Sequence, residues 1–143
     1  EWTLFEAADG LPFNDFTSAA AGPGGVWFGT TKGAIRWDGE DFRYRQGMRW
    51  LPNDEVRDIE VAADGSAWIA TAGGISHIRF LDMTLAEKAK HYEDLIDKYH
   101  RRTEYGYVLE TTFERPGDLN SPNRNYDSDN DGLWTSMYGA GEC

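Results

Sequence analysis

One internal repeat restricts the possible folds of this chain more than any other feature of the sequence. The segment Val26-Trp27-Phe28-Gly29-Thr30 recurs as Ala67-Trp68-Ile69-Ala70-Thr71, with the two tryptophans 41 positions apart. The upstream context recurs in the same order, since Leu11-Pro12 is matched by Leu51-Pro52. A repeat of this period indicates that one supersecondary unit has been used twice.

Each copy has the pattern of short β-strands separated by tight turns, because Gly, Asp and Pro lie between the apolar runs. The predicted strands cover 16–20, 26–30 and 34–37 in the first copy and 56–62, 67–71 and 75–80 in the second, with 2–5 and 42–45 as a further matching pair. The sequence therefore predicts two antiparallel sheets of three or four strands. Trp27 and Trp68 are expected to pack between sheets, and a sugar-stacking role is the alternative.

The repeat resembles the two-component regulator propeller repeat. The resemblance is carried by Gly10-Leu11-Pro12 with Asn14, by 25–30 with Gly33, and in the second copy by Trp68, Thr71, Gly73 and Gly74, although Ala70 replaces the usual Gly. It implies two β-propeller-type blades over residues 1–80, of the kind found in extracytoplasmic ligand-sensing domains of bacterial sensor kinases and in secreted relatives. The resemblance leaves the activity open, because propellers carry many functions on one scaffold.

Two blades are fewer than the roughly four to eight that close a propeller. The chain is then a fragment of a longer protein, or copies assemble to complete a ring, or the two sheets pack on the downstream segment. Each open sheet also has unpaired edges that allow self-association or interaction with another protein.

The second half, 81–143, has a different pattern. At Thr84 the apolar period changes from two to about 3.6 residues, and Thr84 with Glu87 predicts a capping box. The helix is expected to run to about Arg102, with an apolar stripe of Leu85, Ala89, Tyr92, Leu95, Ile96 and Tyr99. A strand over 105–114, a loop over 119–131 and a helix from Leu133 follow. The predicted fold class is mainly β with a C-terminal α segment.

The loop contains the residues most suggestive of chemistry. Asp127, Asp129 and Asp131 alternate before Gly132, which is how a chain wraps carboxylates around Ca²⁺. The EF-hand pattern is incomplete, because its twelfth position is Tyr138 instead of Glu. The alternative is that Asp129 or Asp131 caps the following helix.

The segment with Tyr105-Gly106-Tyr107, Pro116-Gly117-Asp118 and the Asp-rich loop is similar to a helical segment that follows propeller repeats in secreted bacterial proteins of carbohydrate metabolism. This second resemblance implies the truncated start of an α/α domain. It also implies that Tyr105, Tyr107 and Trp134 contact a sugar.

Two functions from different classes fit these features. One is an extracytoplasmic module that binds or senses a carbohydrate. The other is a polysaccharide-active enzyme: a glycosidase with an acid and base from Asp127, Asp129 and Asp131, or a lyase with Tyr105 or Tyr107 as base and Arg101 or Arg102 against a uronate.

Charge and composition exclude other partners. The formal net charge is −11, and neither half is basic, which argues against nucleic acid and anionic membranes. No apolar run approaches the roughly 18–20 residues of a membrane span, so no membrane insertion is expected. Cys143 is the one cysteine of the sequence, which excludes an internal disulfide. His91 and His100 lie on nearly opposite helix faces and are interpreted as ordinary surface or boundary residues.

Overall fold

The computed structural model describes residues 2–101 and 104–142. Contacts divide the chain into two compact units, Glu1–Leu81 and Asp82–Cys143. Within the described ranges the chain is mainly β, with three antiparallel sheets, none of them closed, and two α-helices. The predicted fold class is therefore confirmed at this level.

The first unit contains a four-stranded and a three-stranded antiparallel sheet. The first sheet has the order β1 (Phe16–Gly22), β2 (Gly25–Thr30), β3 (Gly33–Trp37) and β4 (Phe42–Arg45). The second has the order β5 (Val56–Val61), β6 (Ala67–Thr71) and β7 (Gly74–Ile78). The prediction of two antiparallel sheets of three or four strands is confirmed.

The two sheets share one register. Trp27 pairs with Ala20 and Arg36 in the first sheet, and Trp68 pairs with Glu60 and His77 in the second. A bulge follows the first residue of β1 and of β5 at the same place. The sequence repeat is thus also a structural repeat.

The turn that follows each central strand repeats as well. Thr30 Oγ1 donates to the carbonyl of Gly33 over 2.8 Å, and Thr71 Oγ1 donates to that of Gly74 over the same distance. Both glycines have positive φ, 132° and 141°, in a region that a side chain rarely adopts. The Thr–Gly pairing therefore explains why these residue types recur.

The core of the first unit lies between the two sheets. Its buried side chains come from β2 and β3 on one side and from β5, β6, β7 and the preceding loop on the other, and they are Trp27, Ala34, Leu51, Val56, Ile59, Ala67, Ile69 and Ile78. Burying this apolar surface is the main contribution that holds the sheets together.

The segment 2–5 forms no strand, contrary to the prediction. Its Phe5 ring instead packs on the other face of the first sheet, with centroids 5.0 Å from Trp37 and 5.5 Å from Phe42. A bulky aromatic side chain buries more apolar surface on the sheet face than at an edge, which accounts for the difference.

The second unit contains α1 (Leu85–Tyr99), a hairpin of β8 (Glu110–Phe113) and β9 (Asn123–Tyr126), and α2 (Asp131–Gly141). The predicted capping box is confirmed, because Glu87 N donates to Thr84 Oγ1 and the Glu87 carboxylate accepts from Thr84 N. The bond from Thr84 N, together with a second bond that Thr84 Oγ1 donates to the same carboxylate, lowers the pKa of Glu87. None of the helices in the described part of the chain is long and apolar enough to cross a membrane.

Three boundaries in the second unit differ from the prediction. Helix α1 ends at Tyr99, and the predicted end at Arg102 lies outside the described residues. The strand predicted over 105–114 is limited to β8, and β9 lies inside the segment predicted as loop. Strand β9 has the sequence Asn-Arg-Asn-Tyr, so pairing with β8 forms it without a strong β pattern of its own.

Candidate functional site

A groove of about 610 Å³ in the second unit is the best candidate for a ligand site. Three segments line it: the end of α1 with His100, the chain before β8 together with the start of that strand, and α2. The lining residues are Ile96, His100, Val108, Leu109, Glu110, Thr111, Trp134, Met137 and Tyr138. The groove is mainly apolar, with polar groups along part of its wall.

The end of α1 is held by hydrogen bonds to residues that line the groove and to the hairpin. Tyr99 is buried, and its carbonyl, free at the helix end, accepts from Thr111 Oγ1 at 2.7 Å and from Asn125 Nδ2 at 2.8 Å. Asn125 Nδ2 also donates to Thr111 Oγ1. The phenol of Tyr99 donates to the Leu119 carbonyl at 3.0 Å. The hairpin therefore satisfies the helix terminus and is held against it.

His100 lies directly after this helix end. Its backbone carbonyl accepts from Leu109 N at 3.0 Å, and its ring Nδ1 lies 2.9 Å from the Leu109 carbonyl. A neutral ring that donates from Nδ1 leaves Nε2 as an acceptor. The expectation that His100 is a boundary residue holds for its half-buried position, and the ring also forms part of the groove wall.

One end of the groove carries a charged cluster around Tyr138. The Tyr138 hydroxyl donates to Glu93 Oε1 at 2.6 Å, and the Arg101 guanidinium lies 4.3 Å from the centre of the Tyr138 ring. Arg101 also forms ion pairs of 3.4 Å with both Glu93 and Asp97. The hydrogen bond to Glu93 raises the pKa of Tyr138 above its usual value. The hydroxyl proton of Tyr138 is therefore engaged in the bond to Glu93.

The three aromatic residues predicted to contact a sugar do not lie together in this groove. Trp134 forms part of the groove wall and is 40% exposed. Tyr105 and Tyr107 form a separate, exposed pair whose ring centroids are 6.2 Å apart and tilted by 47°. Trp134 is thus the predicted residue that the groove contains.

The Asp-rich loop is organised by a hydrogen-bonded turn that ends at the first residue of α2. Asp131 accepts from Ser128 N and from Ser128 Oγ, both at 3.0 Å, and Ser128 Oγ accepts from Asn130 N at 3.2 Å. The carboxylate of Asp131 therefore fixes the turn before α2. Asp131 is the first residue of that helix and Asn130 is its N-cap, without a side-chain cap hydrogen bond, so the expected capping by Asp129 or Asp131 is not observed among the described residues. Asp127 and Asp129 are exposed.

No group of three or more His, Cys, Asp or Glu side chains is placed to hold a metal ion within 2–101 and 104–142. Asp127, Asp129 and Asp131 all fall inside these ranges. The calcium site stays a prediction, and the carboxylates would have to move together to form it.

The catalytic alternatives fall on residues with other contacts. The charge of Arg101 is met by Glu93 and Asp97, and Arg102 lies outside the described residues.

Sequence analysis did not identify Glu93 or Tyr138 as site residues. They are 45 positions apart, so no local pattern connects them. The proximity of Ile96 and His100 could have been predicted from the sequence, because positions four apart share a helix face.

Comparison with known proteins adds no assignment. None of the protein-family models matches this chain, and a search of curated proteins also finds no match. The function therefore has to be argued from the site itself.

Proposed function

We propose that this chain is a carbohydrate-binding module whose site is the groove of the second unit. The observation that carries the proposal is the half-exposed Trp134 ring in a groove that also contains His100, Glu110 and Thr111. The resemblance of the repeat to extracytoplasmic sensor domains supports a role in binding or sensing outside the cytoplasm.

A sugar ring fits a wall of this composition for a physical reason. Its C–H faces are apolar and stack on aromatic rings, and its hydroxyl edges need donors and acceptors. Ligand grooves generally combine an apolar lining with a few oriented polar groups. Here Trp134 and Met137 supply the apolar surface, while His100, Glu110 and Thr111 supply the polar edge.

Charge favours neutral sugars over uronates. The chain has a net charge of −11, and Glu110 lies in the groove wall. Arg101, whose guanidinium lies over the Tyr138 ring of the groove wall, is compensated by two carboxylates. No Lys or Arg is among the described residues that line the groove, so an anionic sugar would meet repulsion there.

Binding is better supported than hydrolysis. A glycosidase uses two carboxyl groups about 5 to 10 Å apart on either side of the bond. Among the groove-lining residues that the structure describes, Glu110 is the one carboxylate. An enzyme of this class would need a second acid from elsewhere.

The proposal is tested by titrating the protein with a panel of neutral and uronic oligosaccharides, using calorimetry and tryptophan fluorescence. The variant Trp134→Ala removes the stacking surface and should weaken binding of the neutral sugar by about tenfold to hundredfold, the range for losing one aromatic contact. Trp68→Ala is the matched control, because Trp68 is similarly exposed, at 48%, but belongs to the first unit.

Equal losses in the two variants, or no binding of any sugar by the intact protein, would overturn the proposal. Shortening of an oligosaccharide during the titration, detected by mass spectrometry, would favour the enzyme instead. Circular dichroism establishes that both variants remain folded.

A further inference from the structure

The outer face of the second sheet exposes large apolar side chains. This Trp68 face comprises Trp68, Ala70 and Ile75 with Asp58 and Glu60 beside them, around a shallow hollow of about 190 Å³. Trp68 is 48% exposed and Ile75 is 71% exposed. The Trp68 ring is held flat on His77, with centroids 4.0 Å apart and planes 7° from parallel.

The first sheet shows what covers the equivalent face there. Trp27 is the equivalent of Trp68 in the first sheet, and it is buried in the cluster that includes Leu51, Val56 and Ile69 of the second repeat. The face of one sheet that carries the tryptophan is thus covered by the opposite face of the next sheet. Trp68 presents the same face with no sheet against it in the described chain.

The receiving half of this interface is also exposed, on the first sheet. Phe5, Leu11, Phe16, Phe28 and Phe42 line an apolar hollow of about 200 Å³, here called the Phe28 hollow. Three of these residues are repeat equivalents of those that surround Trp27: Leu11 corresponds to Leu51, Phe16 to Val56, and Phe28 to Ile69. Phe16 is 47% exposed.

We infer that copies of this chain associate head to tail, with Trp68 of one copy seated in the Phe28 hollow of the next. The contact continues the packing already present between the two sheets of one chain. Because the two surfaces differ, the interface is heterologous, and repeating it gives open chains or rings instead of a closed symmetric dimer.

Two differences between the repeats set the strength of this contact. Asp58 and Glu60 stand where the first sheet has Ser18 and Ala20, so the contact brings carboxylates near an apolar hollow. Each copy also has a net charge of −11. Association should therefore be weak, appearing at about 100 μM and above. Salt should strengthen it by screening the repulsion.

The test is sedimentation velocity of the full chain across a concentration series at about 20 mM and about 500 mM NaCl, ionic strengths at which the screening length differs several-fold. We expect the weight-average mass to rise with concentration, and to rise more at high salt. Trp68→Ala and Phe16→Ala should each remain monomeric. Leu133→Ala, which removes an exposed apolar side chain of α2, is the control and should associate like the original chain.

Mixing gives the decisive measurement. Each variant keeps one intact half of the interface, so an equimolar mixture of Trp68→Ala and Phe16→Ala should form a dimer and no longer species. A chain that stays monomeric at both salt concentrations overturns the inference. Association that survives in both variants also overturns it, and would indicate pairing through strand edges. Circular dichroism shows whether each variant is folded before its mass is interpreted.

Discussion

Trp27 and Trp68 occupy the same position in two sheets of identical register, yet Trp27 is 1% exposed and Trp68 is 48% exposed. The second sheet covers the face that carries Trp27. The face that carries Trp68 has Asp58 and Glu60 as neighbours and faces outward. Repetition of sequence thus produced the same strands but different environments.

The two tryptophans should therefore differ in their effect on stability. Trp27→Ala removes a large buried side chain and leaves a cavity, so we expect a loss of about 3–5 kcal/mol in the free energy of unfolding. Trp68→Ala should change it by less than about 1 kcal/mol. Urea unfolding at low protein concentration measures both, and similar losses would contradict the assignment of the core.

Gly29 is required by the packing of the two sheets. A Cβ at Gly29 would lie 2.5 Å from Ser18 Oγ in the same sheet and 2.6 Å from Val56 Cγ1 in the second sheet. Gly29→Ala should therefore destabilise the protein by about 1–3 kcal/mol through overpacking. Its repeat equivalent is Ala70, on the uncovered face, where a methyl group is already accommodated.

Gly132→Ala, in α2, is the control for this substitution. A Cβ at Gly132 would have no described atom within 4 Å. It should stabilise the protein by up to about 1 kcal/mol through helix propensity. Thermal unfolding of the two variants should shift in opposite directions. A rise in melting temperature for Gly29→Ala would refute the close contact with Val56.

Asp38 makes the protein sensitive to acid. Its carboxylate accepts from Asp41 N at 2.9 Å, from Glu40 N at 3.1 Å and from the Arg43 side chain. These bonds lower the pKa of Asp38 to about 2, with the Asp41 and Glu40 amides as the main cause. Because the folded-state pKa is below the unfolded value, the stabilisation is complete above about pH 4 and is lost as the pH falls towards 2.

Asp38→Asn should consequently show a shallower fall in unfolding free energy between pH 4 and pH 2 than the original chain. Urea unfolding at a series of pH values measures the slope, and an NMR titration reports the Asp38 carboxyl directly. Identical slopes in the two proteins would show that the hairpin turn does not depend on this carboxylate.

The Asp-rich loop allows the capping and calcium hypotheses to be separated. Asp131→Ala removes the hydrogen bonds to Ser128 that hold the turn and should lower the unfolding free energy by about 1 kcal/mol even in chelator. Asp129→Ala should have little effect in chelator. If the loop binds calcium, millimolar Ca²⁺ raises the melting temperature of the original chain and not that of Asp129→Ala. No calcium-dependent rise in the original chain would leave the turn before α2 as the role of Asp131.

Local features of the structure could be predicted from the sequence. The strands of both sheets, the start of α1 and its Thr84–Glu87 capping box depend on alternation or on residues within four positions of each other. Strand β9 could not be predicted, because its polar sequence becomes a strand only through pairing with β8. The observed end of α1 also differs from the predicted end. Side chains of the hairpin bind the last carbonyl of the helix, and this contact is between residues distant in sequence.

The sequence by itself determined the repeat, the type of each main element and the acidic character that disfavours nucleic acid. Only the tertiary structure decided which tryptophan is buried, and that Trp134 lies in a groove while Tyr105 and Tyr107 lie apart from it. The bond between Glu93 and Tyr138 joins residues 45 positions apart. Periodicity shows which side chains share a face of one element, but which faces meet depends on the packing of the whole unit.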